Sequence, residues 1–471
     1  MAQRRLPPVY ETEILDLDAR GHGVGIAPDG RLVHVRPAAP GSRVRVAAAG
    51  RKKGAWSGRR LAMIRPPAEA AVPPCPVFGV CGGCTLQELS VEAQRRFKQA
   101  AAVRAIVGVS EVRVHPLRAA AAWGYRNKVE LSFGTQRYLT EAEQQGGVDR
   151  VGRFLGFHAP GRFDRVVDAA ACHLISEDAN RLLATIRQIC LAPDAPPPRD
   201  PRSKEGFWRH AMLREAPTTG ELVVTMFTTS PDPAAEATVE ALADALLATP
   251  LDRSRLVGVE WTVDDGLADV ARGDTRRTWG RAWLEETVGP ITLRLSRRSF
   301  FQTNTAGAVV LFDTIGEALG SGGTLLDLYC GAGTIGLYLA AQVDHLVGVE
   351  LIAEAVDEAR AAAARHGVAG AWHQGALEDL LDVVTATPGP RRVIVDPPRV
   401  GLHPRAAATL ADLDADVLVY VACYPPSLGR DRAILEAGGW QLTDVWTVDL
   451  FPQTHHVEAV GRFVRARRSP T

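Results

Sequence analysis

The chain has 471 residues, with 54 Lys and Arg balancing 54 Asp and Glu, 46% hydrophobic and 23% charged residues. That length predicts two or three domains with full cores, and the composition excludes disordered, collagen-like and disulfide-scaffold classes. The start, MAQRRLPPVYETEILDLD, carries no apolar run before a small-residue cleavage site, and no run of about eighteen apolar residues occurs, so we expect a cytoplasmic chain without leader or membrane span.

A net charge of zero argues against a polyanion partner, but the local charge does not. Residues 1–65 hold thirteen Lys or Arg, among them Arg43, Arg45, Arg51, Lys52, Lys53, Arg59 and Arg60, against five acids. RFVRARR forms a second basic cluster at the C-terminus. Basic ends on a neutral chain can grip phosphates, or simply be a solvated surface.

Residues 9–65 read as short strands broken by glycine turns; RLVHVR and SRVRV alternate, and DG marks a turn, which predicts a small antiparallel barrel. The Pro- and Ala-rich RPPAEAAVPP closes that domain. CPVFGVCGGC follows, then a helix over 91–106, and then a mixed region to about residue 290 with strands in RNKVELSFG and ELVVTMFTT and a helix in PAAEATVEALADALLAT. LAPDAPPPRDPRS reads as an exposed connector. From about 303 the pattern alternates: a helix over 303–319, strand TLLDLYC, glycine-rich GAGTIG, strand HLVGVE, helix AEAVDEARAAAARHG, strands RRVIVDPP and VLVYVAC, a further helix, and a final strand pair. This predicts a doubly wound α/β domain with its ligand at the carboxyl ends of the strands.

Gly331, Gly333 and Gly336 form G-x-G-x-x-G between a strand and a helix, and Glu350 ends the next strand nineteen residues after Gly331. Glycines allow a tight turn and close ligand approach, and a carboxylate at that position accepts from ribose hydroxyls. The pattern suits either a dinucleotide or S-adenosylmethionine. Asp396 ends a strand and precedes two prolines that stiffen its loop, an arrangement common in methyltransferases acting on planar centres and of no use to a dehydrogenase. Cys423 ends the next strand and should open into the same crevice. A lone cysteine is ordinarily a piece of core. FPQTHHVE changes that reading, because it can bring His455, His456 and Glu458 to the same place. A thiol and a carboxylate beside a cofactor suit methylation of uracil carbon 5, which needs a nucleophile for carbon 6 and a base for the carbon 5 proton.

Cys75, Cys81 and Cys84 follow C-x5-C-x2-C, and Cys172 lies far along the chain. Structural zinc is usually held by two paired knuckles, whereas three close thiolates and one distant one better suit a [4Fe–4S] cluster. Cys190 and Cys330 have no such partners and read as core.

Together CPVFGVCGGC, GYRNK, FFQTN, DLYCGAGTIGL, DPPRVGLHP, the cysteine of YVACYPPSLGRD and FPQTHHVE resemble the RNA (uracil-5-)-methyltransferases, in order and over nearly the whole chain. The resemblance implies a C-terminal Rossmann-like class I methyltransferase domain at 291–471. It also implies a TRAM-like RNA-binding β-barrel at 1–66 and a mixed α+β iron–sulfur domain at 75–290. It makes Cys423 the nucleophile and Glu458 the base. Gln302, Tyr329, Gly331, Gly333, Thr334, Glu350 and Asp396 would line the S-adenosylmethionine pocket, and Cys75, Cys81, Cys84 and Cys172 would hold the cluster. Phe300 would stack on an extruded base. The implied substrate is RNA, ribosomal in preference to transfer RNA, and the implied state a monomer away from membranes. The chain departs from the family where Ala422 and Tyr424 flank Cys423 in place of Ser and Asn, where Thr334 replaces an Asn of some members, and where Gln453 stands at a frequent His. Two other classes remain open: an RNA-binding relic without turnover, and a nicotinamide oxidoreductase resting on the glycine pattern alone.

Overall fold

The computed structural model describes residues 8–52, 54–108 and 111–465, so Lys53 and the Arg467–Arg468 part of the C-terminal basic cluster lie outside the described residues. The chain forms two compact units, one of 1–72, 86–120 and 306–471, the other of 73–85 and 121–305.

In the first unit, strands Val9–Leu17, Gly23–Ile26, Leu32–Arg36, Arg43–Lys52 and Ala55–Arg65 close into a barrel. Side chains alternate across each strand, so Val33, Val35, Val44 and Val46 fill the barrel while Arg43 and Arg45 point outward. Glu11 and Glu13, two of the few acids of this stretch, are taken up by its own arginines, and Glu88 adds one partner from outside it, so most of the basic excess stands. Arg43 and Arg45 pair with Glu11, Arg65 pairs with Glu13, and Arg60 makes two bonds of 2.7 Å to Glu88.

The same unit holds a nine-stranded sheet. Its parallel strands run in the order Ala371–Gln374, His345–Glu350, Thr324–Leu328, Arg391–Val395 and Val417–Ala422. The four inner ones are largely apolar runs because both faces are covered, while the edge strand Ala371–Gln374 is AWHQ with exposed ends. Antiparallel Glu458–Arg465 follows, then Trp440–Asp449, and the short pieces Arg113–Val114 and Arg118–Ala119 close the edge. The chain winds one way from Thr324–Leu328 and then jumps back to Arg391–Val395, so the switch point lies between these two strands, where a ligand crevice opens. Helix Val91–Ile106, capped by Ser90 Oγ, packs on helix Pro425–Ala437. Gly429 makes that possible, since a Cβ there would sit 2.0 Å from the Ala105 carbonyl.

The second unit is α+β. A seven-stranded sheet runs in the order Val166–Asp168, Val151–His158, Lys128–Gln136, Trp208–Ala216, Glu221–Thr228, Arg255–Val263 and Asp274–Gly280. Helices Glu177–Cys190 and Pro233–Ala248 bury Leu182, Ile186, Val239 and Leu242 against it. The proline-rich segment after Cys190 is more than a connector. Pro198 and Arg199 are buried, and the Arg153 guanidinium donates to the Ala195 and Pro196 carbonyls at 2.8 and 3.1 Å. Proline lacks an N–H but keeps its carbonyl, and those carbonyls find a donor here.

Candidate functional site

The glycine loop and its acid meet at the switch point. Tyr329, Gly331 and Gly333 all take positive φ, at 64°, 54° and 73°, which folds the loop tightly between strand and helix. At Gly333 a Cβ would also lie 2.6 Å from the Trp372 ring, so a larger residue is excluded. Glu350 accepts from the Gly331 N–H at 3.0 Å and from the Ile352 N–H at 2.9 Å, which fixes its carboxylate across the loop. Asp327 accepts from the Gly336 N–H at 2.9 Å, while its other oxygen has no protein partner. Burial first, and the nearby Asp396 and Glu350 charges after it, push the Asp327 carboxyl up to about 7. Thr334 opens the helix that follows Gly333. A fixed acid facing the loop, an orphaned carboxylate oxygen and a backbone without Cβ atoms fit a nucleoside-bearing cofactor. Cys330, expected in the core, is only partly buried; its thiol lies in this loop, directed toward the Gly331 carbonyl at 3.6 Å.

Cys423 and Glu458 are brought together by strand register. Ala422 pairs with Ala459 across the antiparallel ladder, so the next residue outward on one strand faces the preceding residue on the other. Asp396 follows Val395, which pairs with Tyr420 on the same side. Glu458 is buried, 4% exposed, with its carboxyl pushed up to about 8 by burial and then by Asp396, against a smaller lowering by Arg399. Asp396 is partly exposed at the crevice, yet the protein around it lifts its carboxyl to about 7. Cys423 is raised to about 11, by burial first and then by Glu458 and Asp396, with Arg399 again opposing. At neutral pH the thiol and Glu458 are therefore both mainly protonated, and Arg399 is the cation acting on both. Its guanidinium lies over the Tyr424 ring at 5.3 Å, so the Tyr that replaces the family Asn anchors that cation.

The pocket beside Cys423 is walled by Arg399, Tyr424, Lys98, His455 and His456 and by Asp18 of the barrel. The two imidazoles lie against each other with centroids 4.1 Å apart and planes inclined by 36°, and burial holds them neutral, at about 3 for His455 and about 4 for His456. Helix Val91–Ile106 holds the loop that carries them. Lys98 is fully buried, donating to Asp449 and, at 3.0 Å, to the Phe451 carbonyl. Gln94 donates to Gln453 Oε1 at 2.9 Å and accepts from the Gln453 N–H at 3.0 Å. Gln453 itself has a φ of 68°, so this amide pair braces a strained turn just before Glu458. Sequence reasoning missed Gln94 and Lys98; the available signal was a Gln and a Lys one turn apart on a face otherwise lined by Ala93, Ala101 and Ala102.

In the second unit Gln302 is partly buried and its carbonyl accepts from Asn127 Nδ2 at 2.9 Å, while Phe300 is 82% exposed. Cys75, Cys81, Cys84 and Cys172 are in no disulfide. The Cys81 thiol is pushed up to about 11, by burial first and then by its neighbours Cys172 and Cys75, which places these three sulfurs within electrostatic reach. Gly83 N–H donates to Cys81 Sγ at 3.4 Å, and Asn180 clamps the Cys172 backbone at 2.9 and 3.0 Å. Thiols whose ionised forms would repel one another, beside Arg126 and a backbone donor, fit a cationic or cluster ligand that takes thiolates.

No family model matches the chain. An uncharacterized RNA methyltransferase of Chlorobaculum tepidum is 35% identical, covering 94% of this chain and 92% of its own length. An uncharacterized RNA methyltransferase of Caldanaerobacter subterraneus is 33% identical, over 96% of this chain and 98% of its own. Among solved structures, the tRNA (uracil-54, C5)-methyltransferase of Pyrococcus abyssi, in complex with S-adenosyl-L-homocysteine, is similar with a TM-score of 0.74 and 26% identity, covering 97% of this chain and 100% of its own. With full-length relatives of that kind, and with a doubly wound sheet whose switch point carries a glycine loop and its acid, the chain belongs to the RNA methyltransferase family.

Proposed function

We propose that this protein transfers a methyl group from S-adenosylmethionine to carbon 5 of a uridine in RNA. The observation that supports the reading is the pairing of Ala422 with Ala459, which makes Cys423 and Glu458 neighbours at the strand ends, near enough for the Glu458 charge to act on the thiol. Gly331, Gly333, Thr334, Tyr329, Glu350 and Asp396 would hold the cofactor; Gln302 is assigned to it by the family resemblance alone. When bound, the cofactor supplies an electrophilic methyl group. Cys423 adds to carbon 6 of the uracil, and its proton passes to Asp396, part of which is ionised near neutrality. The resulting enolate makes carbon 5 nucleophilic, so that it would take the methyl group as the methyl–sulfur bond breaks, its electron pair leaving on sulfur as a neutral thioether. Glu458, in its carboxylate form, then removes the carbon 5 proton, the carbon–sulfur bond breaks, and the thiolate recovers its proton from Asp396. Glu458 finally releases its proton to water. Arg399 favours both anionic forms.

The barrel at 1–66 contributes the RNA grip. Phe300 stacks on the extruded base, and the 75–290 region holds a [4Fe–4S] cluster through Cys75, Cys81, Cys84 and Cys172, with the transferase domain at 291–471. The cluster would supply a rigid four-sulfur staple for that region. The protein acts in the cytoplasm as a monomer. The family resemblance favours ribosomal RNA; the transfer-RNA substrate in the name of the Pyrococcus abyssi protein supports transfer RNA as the second reading. The test is incubation with methyl-labelled cofactor and separated RNA fractions, followed by nucleoside analysis. Label in 5-methyluridine from one RNA class supports the reading. Label in any other nucleoside, or none in protein that binds the cofactor, overturns it.

A further inference from the structure

Asp18 and His22 of one barrel turn meet His34 of strand Leu32–Arg36, a grouping that neither the cofactor nor the uridine chemistry uses. Asp18 Oδ2 lies 2.7 Å from His34 Nδ1 and 3.2 Å from His22 Nδ1, and the three donor atoms all fall within 4.8 Å of one another. The other oxygen, Oδ1, is already committed. It accepts from the Arg20 and His22 backbone N–H groups at 2.8 and 2.9 Å, so the carboxylate is oriented by its own turn and presents Oδ2 to the two rings. This is the outer support that metal-ligating groups usually have. The three side chains are 19%, 25% and 31% exposed, buried enough to be ordered and open enough for an ion to enter. Two imidazoles and one carboxylate are the ligand set of zinc-class ions, and bonds of about 2.0–2.1 Å at tetrahedral angles put donor atoms about 3.3 Å apart. The 3.2 Å pair already matches that separation, and the 2.7 Å pair needs only a small opening.

We propose that Asp18, His22 and His34 form a binding site for a divalent transition-metal ion of the zinc class, with water completing its coordination. The site would brace the turn that runs from Asp18 to His22. Gly21 in this turn lies against His455 of the pocket wall, where a Cβ would be 2.4 Å from His455 Cβ, and Asp18 itself lines that pocket. A metal here thus fixes part of the wall without touching the reacting atoms.

The test is titration of chelator-stripped full-length protein, its cysteine ligands loaded as purified, with Zn2+ by calorimetry and with Co2+ by visible absorption. We expect one Zn2+ per chain whose affinity falls at least tenfold in His22→Gln and in His34→Gln, and a cobalt spectrum without thiolate charge-transfer bands. Asp18→Asn provides a further reading should a histidine variant fail to fold. Absence of binding to the wild type overturns the proposal, as does equal binding in all the folded variants or a cobalt spectrum carrying only thiolate bands.

Discussion

Glu458→Gln tests the electrostatics of the crevice through stability as well as through activity. The Glu458 carboxyl ordinarily titrates near 4.5, and in the folded protein it is pushed up to about 8. The folded state therefore holds a proton that the unfolded chain releases between those values. Stability from this group is fully present below pH 4.5 and is lost as pH rises through 8. Because Glu458 is only 4% exposed, solvent screens little of the effect. Integrated from pH 5 to pH 8, the linkage costs the wild type about 3 kcal/mol that glutamine, which cannot ionise, does not lose. Urea melts of both proteins at half-unit pH steps give the difference directly. The variant should be close to the wild type or below it at pH 5 and should gain on it steadily to pH 8. A difference that stays flat across this range would refute the buried, protonated Glu458 described above.

Four further outcomes follow from the same geometry. The rate of methyl transfer should rise with pH and level off above about 8, as Glu458 becomes the carboxylate; a rate already flat at pH 6.5 contradicts its role as base. Lys98→Met removes the nearest cation of the buried Asp449 carboxylate, leaving it Arg95 at 3.6 Å, and should cost about 3 kcal/mol in denaturant melts, with most of it restored in a Lys98→Met/Asp449→Leu double variant; a loss under about 1 kcal/mol contradicts the support described for the 450–457 loop. Gly333→Ala meets both a φ of 73° and the Trp372 ring, and should cost about 1–2 kcal/mol from the backbone alone while weakening cofactor binding by calorimetry; wild-type affinity would remove Gly333 from the pocket. Cys172→Ser should reduce iron content and visible absorbance of the purified protein and lower its melting temperature, whereas full iron content would exclude Cys172 as a ligand.

Most of the alternating C-terminal half was legible because strands covered on both faces are apolar runs, and His345–Glu350 in the parallel part and antiparallel Glu458–Arg465 end where the residue pattern ends, whereas the edge strand Ala371–Gln374, AWHQ, has no such run and was not read. That Cys423, Glu458 and Asp396 lie at neighbouring strand ends was legible, because in this fold the strand ends share one crevice. The helix was expected to begin at Thr303 but begins at Thr305, since Asn304 is taken up by a bridge to Arg126. The support of the 450–457 loop was not legible. Lys98 lies in VEAQRRFKQAAAVRAI, where lysine ordinarily points to water, and its carboxylate partner is 351 residues away. The pairing of Arg113–Val114 with Trp440–Asp449 was hidden for the same reason, because two-residue strands have no periodicity to read. The buried proline segment escaped because its order comes from Arg153, a residue with no local sequence relation to it.

The central claim, a covalent bond from Cys423 to carbon 6 of a uridine whose carbon 5 proton goes to Glu458, is tested most directly by trapping. RNA from cells grown in 5-fluorouracil carries fluorine at carbon 5, which no base removes as a proton, so the adduct should persist. We predict a protein–RNA species that survives denaturation with the wild type, contains one peptide spanning Cys423 and is absent for Cys423→Ala. Absence of any adduct with wild-type protein that binds S-adenosylmethionine, or an adduct mapped to another cysteine, contradicts the claim.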